Sequence, residues 1–202
     1  MRNGIFIASL NSKRLNEAIL NGKKFHFNNE IDVVDVFVFD TFEVLNGIFF
    51  KNENANAQNA FIENIISNLE NNFVMACIYK RNLIRFTKIK SKLKRYIALV
   101  YNEYYTNIVF ESQCRNQIYQ NLQPKLNNIN IENNKSNLIE LLLPFLVVEI
   151  ALYLYIYDKG HYLKIFGLES EMGIIESIKT KKYPTFNKYL NYNIEFTKVL
   201  ID

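Results

Sequence analysis

Short apolar runs separated by polar stretches predict an α/β protein. Residues 4–9 and 33–39 are runs of this kind, which are typical of buried strands. Residues 10–26, which lie between them, have the apolar spacing of a helix. A strand, a helix and a second strand in this order form a βαβ unit, whose strands pair in parallel with a right-handed crossover.

The remainder of the chain predicts more helix than strand. Residues 85–122 have the pattern of one long helix or two joined helices. Because nothing indicates a second domain, residues 1–202 are expected to form one α/β domain around a central, mostly parallel sheet. Further helices are predicted at residues 60–79, 138–157 and 170–179 (with Ser170 as a cap), strands at residues 162–166 and 192–201, and polar connections at residues 52–58 and 127–137.

Residues 141–157 are almost wholly apolar and nearly long enough to span a bilayer. Glu149 lies in the middle of this run, where a carboxylate would be costly in lipid. A helix buried between protein layers is therefore predicted, with a membrane anchor as the alternative. The N-terminal apolar run is too short for a signal peptide, and Cys77 and Cys114 suit buried thiols, so we expect a reduced cytoplasmic protein.

The net charge of +4 is mild, but the positive charge is concentrated in one segment. Residues 71–102 contain no Asp or Glu, and Tyr79, Phe86 and Tyr96 lie among the cations. This pattern predicts a track for a phosphate backbone, and a solvated helix face is the alternative. The cations expected to bind the polyanion are Lys80, Arg81, Arg85, Lys88, Lys92 and Arg95, of which Lys88, Lys92 and Arg95 fall on one helix face.

Ser9 lies at the end of the first predicted strand and Asp40 at the end of the second, and in parallel sheets the catalytic residues gather beyond these carboxyl ends. Ser9 is a candidate nucleophile because a helix N-terminus stabilises negative charge, although it could simply cap that helix. Glu149 needs a cation, strong donors or a proton to offset its burial, and either a substrate ammonium or a structural Lys or Arg would serve. His26 and His161 build neither a triad nor a metal site, so no metal and no cofactor are expected.

Together these features resemble the cyclodipeptide synthases over nearly the whole chain. The family's G-x-S-x-x-N motif corresponds to Ile7, Ser9 and Ser12, and a shift by one residue would instead match its asparagine to Asn11. The family's Y-x-x-x-E-x-P motif corresponds to residues 145–151, with Phe145, Glu149 and Ala151 in the conserved places. Residues 36–41 and the aromatic-rich segment at 101–105 are also similar.

The resemblance implies a Rossmann-like fold akin to class I aminoacyl-tRNA synthetase catalytic domains, and an enzyme that makes cyclic dipeptides from two aminoacyl-tRNAs without ATP. Ser9 would carry the aminoacyl group and Glu149 would hold its ammonium in one shared pocket. Phe166 is the best placement of a second family tyrosine, with Tyr162 on the same strand face as the fallback. The pocket is expected to be apolar and to take hydrophobic aminoacyl groups, and its residues would be Ile5, Ile7, Ser12, Phe145, Tyr162 and Phe166.

Two of these positions lack the family's tyrosine hydroxyl. Phenylalanine cannot donate a hydrogen bond or relay a proton, so Phe145 and Phe166 would remove two functional groups. The alternative function is therefore a catalytically degenerate or repurposed relative that binds tRNA.

Overall fold

A computed structural model describes residues 2–9, 12–27, 31–40, 54–72, 74–76, 80–122, 135–169 and 171–202. These residues divide into two compact units. The sheet unit comprises Met1–Lys90, His161–Ser170 and Ile194–Asp202, and the helical unit comprises Ser91–Gly160 and Glu171–Asn193. Whether the whole chain folds as one domain stays a prediction.

In the part of the chain that the structure describes, the sheet unit contains the strands and two complete helices. The helices are α1 (Lys13–Leu20) and α2 (Ala55–Asn72). The strands are β1 (Asn3–Ala8), β2 (Lys24–His26), β3 (Val33–Val38), β4 (Val74–Ala76), β5 (Lys80–Arg85), β6 (Lys164–Gly167), β7 (Glu195–Lys198) and β8 (Leu200–Ile201).

Five strands form a parallel sheet in the order β5-β3-β1-β6-β7. The register sets Ile5 of β1 beside Asp35 of β3 and Ile165 of β6. A second sheet has the order β4-β2-β8, in which β2 pairs in parallel with β4 and antiparallel with β8. The predicted Rossmann-like α/β fold with a parallel central sheet is therefore confirmed.

One face of the five-stranded sheet packs against α1 and α2. Phe6 and Val36 on this face share a buried core with Leu15 of α1 and Ile66 of α2. The apolar runs that predicted β1 and β3 are buried on both faces, as expected for parallel strands.

Two short strands lie where the sequence predicts helix. The first predicted helix, residues 10–26, ends as α1 at Leu20, and Lys24–His26 forms β2 instead. The second, residues 60–79, begins earlier at Ala55 and is followed by β4. These strands are stabilised by pairing with remote segments, which apolar periodicity within a local window does not detect.

The helical unit contains most of α3 (Phe86–Thr106), whose first turn belongs to the sheet unit, together with α4 (Ile108–Leu122) and α5 (Lys135–Lys159). It also contains α6 (Gly173–Lys179) and a 3₁₀ helix at Pro184–Tyr189.

Asn107 divides the predicted segment 85–122 into two joined helices. Its backbone N–H still donates to the carbonyl of Glu103 (2.9 Å), while its side-chain oxygen accepts from the N–H groups of Val109 (3.0 Å) and Phe110 (3.3 Å). The same residue therefore ends α3 and caps α4.

Helix α5 is the apolar helix predicted around Glu149. Its portion Ile139–Lys159 is long and apolar enough to cross a membrane, but 61% of that apolar stretch is buried within the protein. This burial supports the predicted core helix. The polar segment 127–137 overlaps the start of α5, and the rest of it lies outside the described residues, as does Ser170.

Candidate functional site

Ser9 follows the carboxyl end of β1 and is exposed. The backbone N–H of Ser12 donates to the Ser9 carbonyl (3.1 Å), and Ser12 is the residue that caps α1, since its hydroxyl oxygen accepts from the N–H of Leu15 (3.3 Å). The alternative in which Ser9 caps the helix is therefore wrong. Ser9 therefore does not cap α1, whereas the hydroxyl of Ser12 stabilises the start of this helix.

Asp40 lies beyond the carboxyl end of β3, as predicted, but its carboxylate is occupied. It is mostly buried and accepts hydrogen bonds from the N–H (3.3 Å) and the hydroxyl (2.8 Å) of Thr87, in the first turn of α3. A carboxylate at this position satisfies the free N–H groups of the helix and complements its dipole. Asp40 therefore fixes the start of the basic helix.

The predicted pocket residues of the sheet unit lie on both faces of the sheet. Ile5 and Ile7 share the face that carries Asp35, and Ile7 is half-buried. Phe166 pairs with Phe6 on the opposite face, where it is fully buried and packs edge-on against Phe27 (ring centroids 4.9 Å apart). The predicted placement of Phe166 in one pocket with Ile5 and Ile7 is therefore wrong, because the sheet separates them.

Tyr162 does not share a strand face with Phe166 either. Strand β6 begins at Lys164, and the hydroxyl of Tyr162 donates to Oδ2 of Asp35 (2.9 Å). Asp35 is level with Ile5, which precedes Ser9 by four residues, or about 13 Å along the strand. Neither placement of the second tyrosine brings a hydroxyl next to Ser9.

Arg14 is a cation near the carboxyl edge of the sheet that the sequence reasoning missed. It is exposed in the first turn of α1, and its guanidinium donates to the carbonyl of Leu168 (3.5 Å), just beyond the end of β6. A basic residue at a helix N-terminus opposes the helix dipole, and this unusual placement was the available signal.

Glu149 lies half-buried on α5 in the helical unit, one turn after the half-buried Phe145. One turn later, Tyr153 is almost fully buried, and its pKa is raised well above the usual value by burial and by the charge of Glu149. The next turn brings Tyr157, whose ring lies 6.2 Å from that of Tyr153 and whose hydroxyl donates to Glu171 (3.2 Å). Sequence reasoning missed both tyrosines, although their four-residue spacing from Glu149 marks one helix face.

The basic segment divides into exposed and paired cations. Lys88 and Lys92 are exposed on one face of α3. Arg85, at the end of β5, makes a bidentate ion pair with Glu63 of α2 (2.8 and 3.0 Å) and so is tied to the sheet unit. Lys80 and Arg81 lie in β5, and their side chains are outside the described residues.

Arg95 belongs to a network centred on Asp158 at the end of α5. Its guanidinium donates to Oδ2 of Asp158 (2.6 Å) and to the hydroxyl of Tyr96, which itself donates to the same carboxylate oxygen (2.6 Å). Asn191 donates to Oδ1 (2.8 Å), and Lys159 is 3.2 Å from Oδ2. Burial alone would raise the pKa of Asp158, but the hydrogen bonds and the adjacent cations outweigh it and hold the pKa below its usual value. Burial also raises the pKa of Tyr96 to about 12.

The remaining candidates have structural surroundings. His26 of β2 pairs with Asp202, and Cys114 is buried, which raises the pKa of its thiol to about 12. Cys77 is outside the described residues. A surface depression of about 380 Å³ in the helical unit contains none of the predicted site residues; it is lined by Ile108, Val109, Ser112, Gln113, Asn116 and Lys182.

Comparison with solved structures identifies similar folds. The chain is similar to a CDPS from Fluoribacter dumoffii (TM-score 0.67, 11% identity, covering 100% of this chain and 91% of that one). It is also similar to a cyclodipeptide synthase from Bacillus thermoamylovorans (TM-score 0.60, 13% identity, covering 99% of this chain and 88% of that one). A third similar structure is a CDPS from Staphylococcus haemolyticus (TM-score 0.58, 12% identity, covering 99% of this chain and 90% of that one). No family model and no curated protein matches the sequence. At this identity the likeness shows the fold, which is the one that these synthases share.

Proposed function

We propose that the chain is a divergent cyclodipeptide synthase, a cytoplasmic aminoacyltransferase that acts on two aminoacyl-tRNAs. The observation that carries the proposal is the position of Ser9. In a fold that matches cyclodipeptide synthases over the full chain, this serine is exposed at the carboxyl end of the central strand β1, and a different serine caps the helix that follows.

In the proposed reaction, the Ser9 oxygen attacks the ester carbonyl of the first aminoacyl-tRNA. The new bond is an aminoacyl-serine ester, the bond to the terminal ribose oxygen of the tRNA breaks, and the serine proton replaces the lost acyl group on that oxygen. The amino group of the second aminoacyl-tRNA then attacks the aminoacyl-serine, which releases Ser9 and leaves a dipeptidyl-tRNA. Attack of its free amine on the remaining ester closes the cyclic dipeptide and frees the second tRNA.

Glu149 is proposed to bind the ammonium of the aminoacyl group. A half-buried carboxylate on the apolar helix α5 is stabilised by a cationic group, and its negative charge adds to the burial that raises the pKa of the nearby Tyr153. In the same proposal, Glu149 accepts protons from the amines that attack the esters.

The exposed cations on α3 are proposed to hold the tRNA. Lys88, Lys92 and Arg95 follow one another along one face of the helix, a spacing suited to contacts with a phosphate backbone. These contacts position the RNA without reading its sequence. The apolar side chain of Ile7, which is half-buried and lies two residues before Ser9, supports a preference for hydrophobic aminoacyl groups.

The test of the activity is incubation with hydrophobic aminoacyl-tRNAs, followed by mass spectrometry for cyclic dipeptides. We expect the wild-type chain to form them and Ser9→Ala to abolish them, whereas Ser112→Ala, which removes an exposed serine on α4, keeps wild-type yield. With a radiolabelled aminoacyl group, the label should stay on the wild-type protein after denaturation and not on Ser9→Ala. Unchanged product from Ser9→Ala would exclude the covalent role.

The role of Glu149 has its own matched comparison on α5. Glu149→Gln should lower product formation strongly because it cannot balance the charge of an ammonium. Glu140→Gln removes an exposed carboxylate from the same helix and should leave the yield unchanged. Equal yields from the two variants would remove Glu149 from the mechanism.

A second candidate function is tRNA binding without turnover. It is favoured by the absence of a tyrosine hydroxyl at Phe145 and by the distance of both Tyr162 and Phe166 from the environment of Ser9. This candidate predicts equal affinity for charged and uncharged tRNA and no cyclic dipeptide from any charged pair. Salt-dependent binding measured by fluorescence anisotropy, combined with the product assay, separates the two functions.

A further inference from the structure

The basic face of α3 continues onto the 3₁₀ helix of the helical unit. The guanidinium carbon of Arg95 lies 5.9 Å from the centre of the Tyr189 ring, and the ammonium of Lys188 lies 5.2 Å from the same centre. Tyr189 in turn packs edge-on against Tyr96, with ring centroids 5.6 Å apart. Two cations far apart in sequence are therefore held against one aromatic ring.

A third cation belongs to the same group. Lys159, at the end of α5, reaches the carboxylate of Asp158 that Arg95 also contacts. The side chain of Asp158 is only 12% exposed, while those of Arg95 and Lys159 are 56% and 42% exposed. The negative charge is thus covered, and the positive charges of Arg95, Lys159 and Lys188 are presented to solvent.

This arrangement is suited to an anion with several charges. One carboxylate cannot neutralise three cations, so the group keeps a net positive charge. Its side chains are restrained by the ring of Tyr189 and the carboxylate of Asp158, so they lose less conformational freedom when they bind. Phosphates spaced along a nucleic-acid backbone match several separate cations better than a single small anion does.

We propose that Arg95, Lys159 and Lys188 form a second phosphate-binding patch, which extends the tRNA surface of α3 toward the C-terminal part of the helical unit. This inference rests on the proposed tRNA binding and adds two contact residues from outside the basic segment. Asp158 is a positioning residue of the patch, since it contacts Arg95 and Lys159 and is less exposed than either.

The test is fluorescence anisotropy of a labelled tRNA titrated with the full chain at several salt concentrations. Lys188→Gln and Lys159→Gln should each weaken binding and lower the slope of log K against log salt by about 0.7 to 0.9 for each lost phosphate contact. Lys188→Arg should keep the slope because it keeps the charge. Lys23→Gln is the control, because it removes an exposed lysine of the sheet unit that follows the C-terminal end of α1. Its affinity and salt slope should match those of wild type.

The possible outcomes distinguish the inference from the proposed function. If Lys188→Gln and Lys159→Gln bind with wild-type affinity and slope while Lys88→Gln/Lys92→Gln binds weakly, the second patch is wrong and tRNA binding by α3 stands. If wild type does not bind tRNA, both fail. Thermal unfolding of each variant checks that it is folded. We expect wild-type unfolding temperatures, because Lys188 is exposed and Lys159 is half-exposed at a helix end.

Discussion

The hydroxyl of Tyr162 donates a 2.9 Å hydrogen bond to the carboxylate of Asp35, a residue 127 positions earlier in the sequence. The bond anchors the segment before β6 to the middle of β3, on the sheet face that also carries Ile5. It holds the tyrosine hydroxyl beside Asp35, which is level with Ile5, four residues before Ser9.

Tyr162→Phe should therefore reduce stability. The change removes one hydrogen bond to a charged acceptor, which corresponds to about 1.5 to 3 kcal/mol of unfolding free energy. Urea denaturation measures it, with Tyr192→Phe as the control because Tyr192 is 53% exposed. A loss of product formation at unchanged stability would instead mark Tyr162 as a functional tyrosine.

Ser9 and Ser12 should separate by their effects on folding. Ser12→Ala removes the side-chain cap of α1 and should cost about 0.5 to 2 kcal/mol. Ser9→Ala changes an exposed residue that does not cap the helix, so its unfolding free energy should stay within about 0.5 kcal/mol of wild type. The reverse order in chemical denaturation would restore Ser9 as the cap.

Gly4 lies where the core leaves no space for a side chain. A Cβ at this position would come within 2.6 Å of Cε2 of Phe166. Gly4→Ala should therefore destabilise the sheet unit by about 1 to 3 kcal/mol, and Phe166→Leu should recover part of the added strain in a double-mutant cycle. Gly173→Ala is the control, because the nearest atom to its Cβ is 3.9 Å away. Additive effects of the Gly4 and Phe166 changes would contradict this packing.

Asp158 should make the unfolding free energy depend on pH in the acidic range. Its pKa in the folded protein is held below the unfolded value of 3.8, so its contribution is complete above about pH 5 and is lost as the pH falls through the folded pKa. Asp158→Asn removes this titration, so the difference in unfolding free energy between wild type and variant should shrink as the pH is lowered from about 6 to 3. Urea denaturation across this range measures it, and a constant difference would contradict the network.

The sequence alone determined the elements whose stability comes from their own pattern. The apolar runs at β1 and β3 and the apolar helix around Glu149 follow from local periodicity, because burial of a continuous apolar stripe needs no specific partner. The basic face of α3 follows from the local concentration of positive charge. These features also placed Ser9 at the carboxyl end of a buried strand.

Tertiary structure alone decided what depends on remote partners. The three-residue strands β2 and β4 exist through pairing, and the register put Phe166 and Ile5 on opposite faces of the sheet. The ion pair of Arg85 with Glu63 and the cations gathered around Asp158 depend on where one side chain meets another. Distances between such groups are set by the packed fold, and a linear pattern carries no record of them.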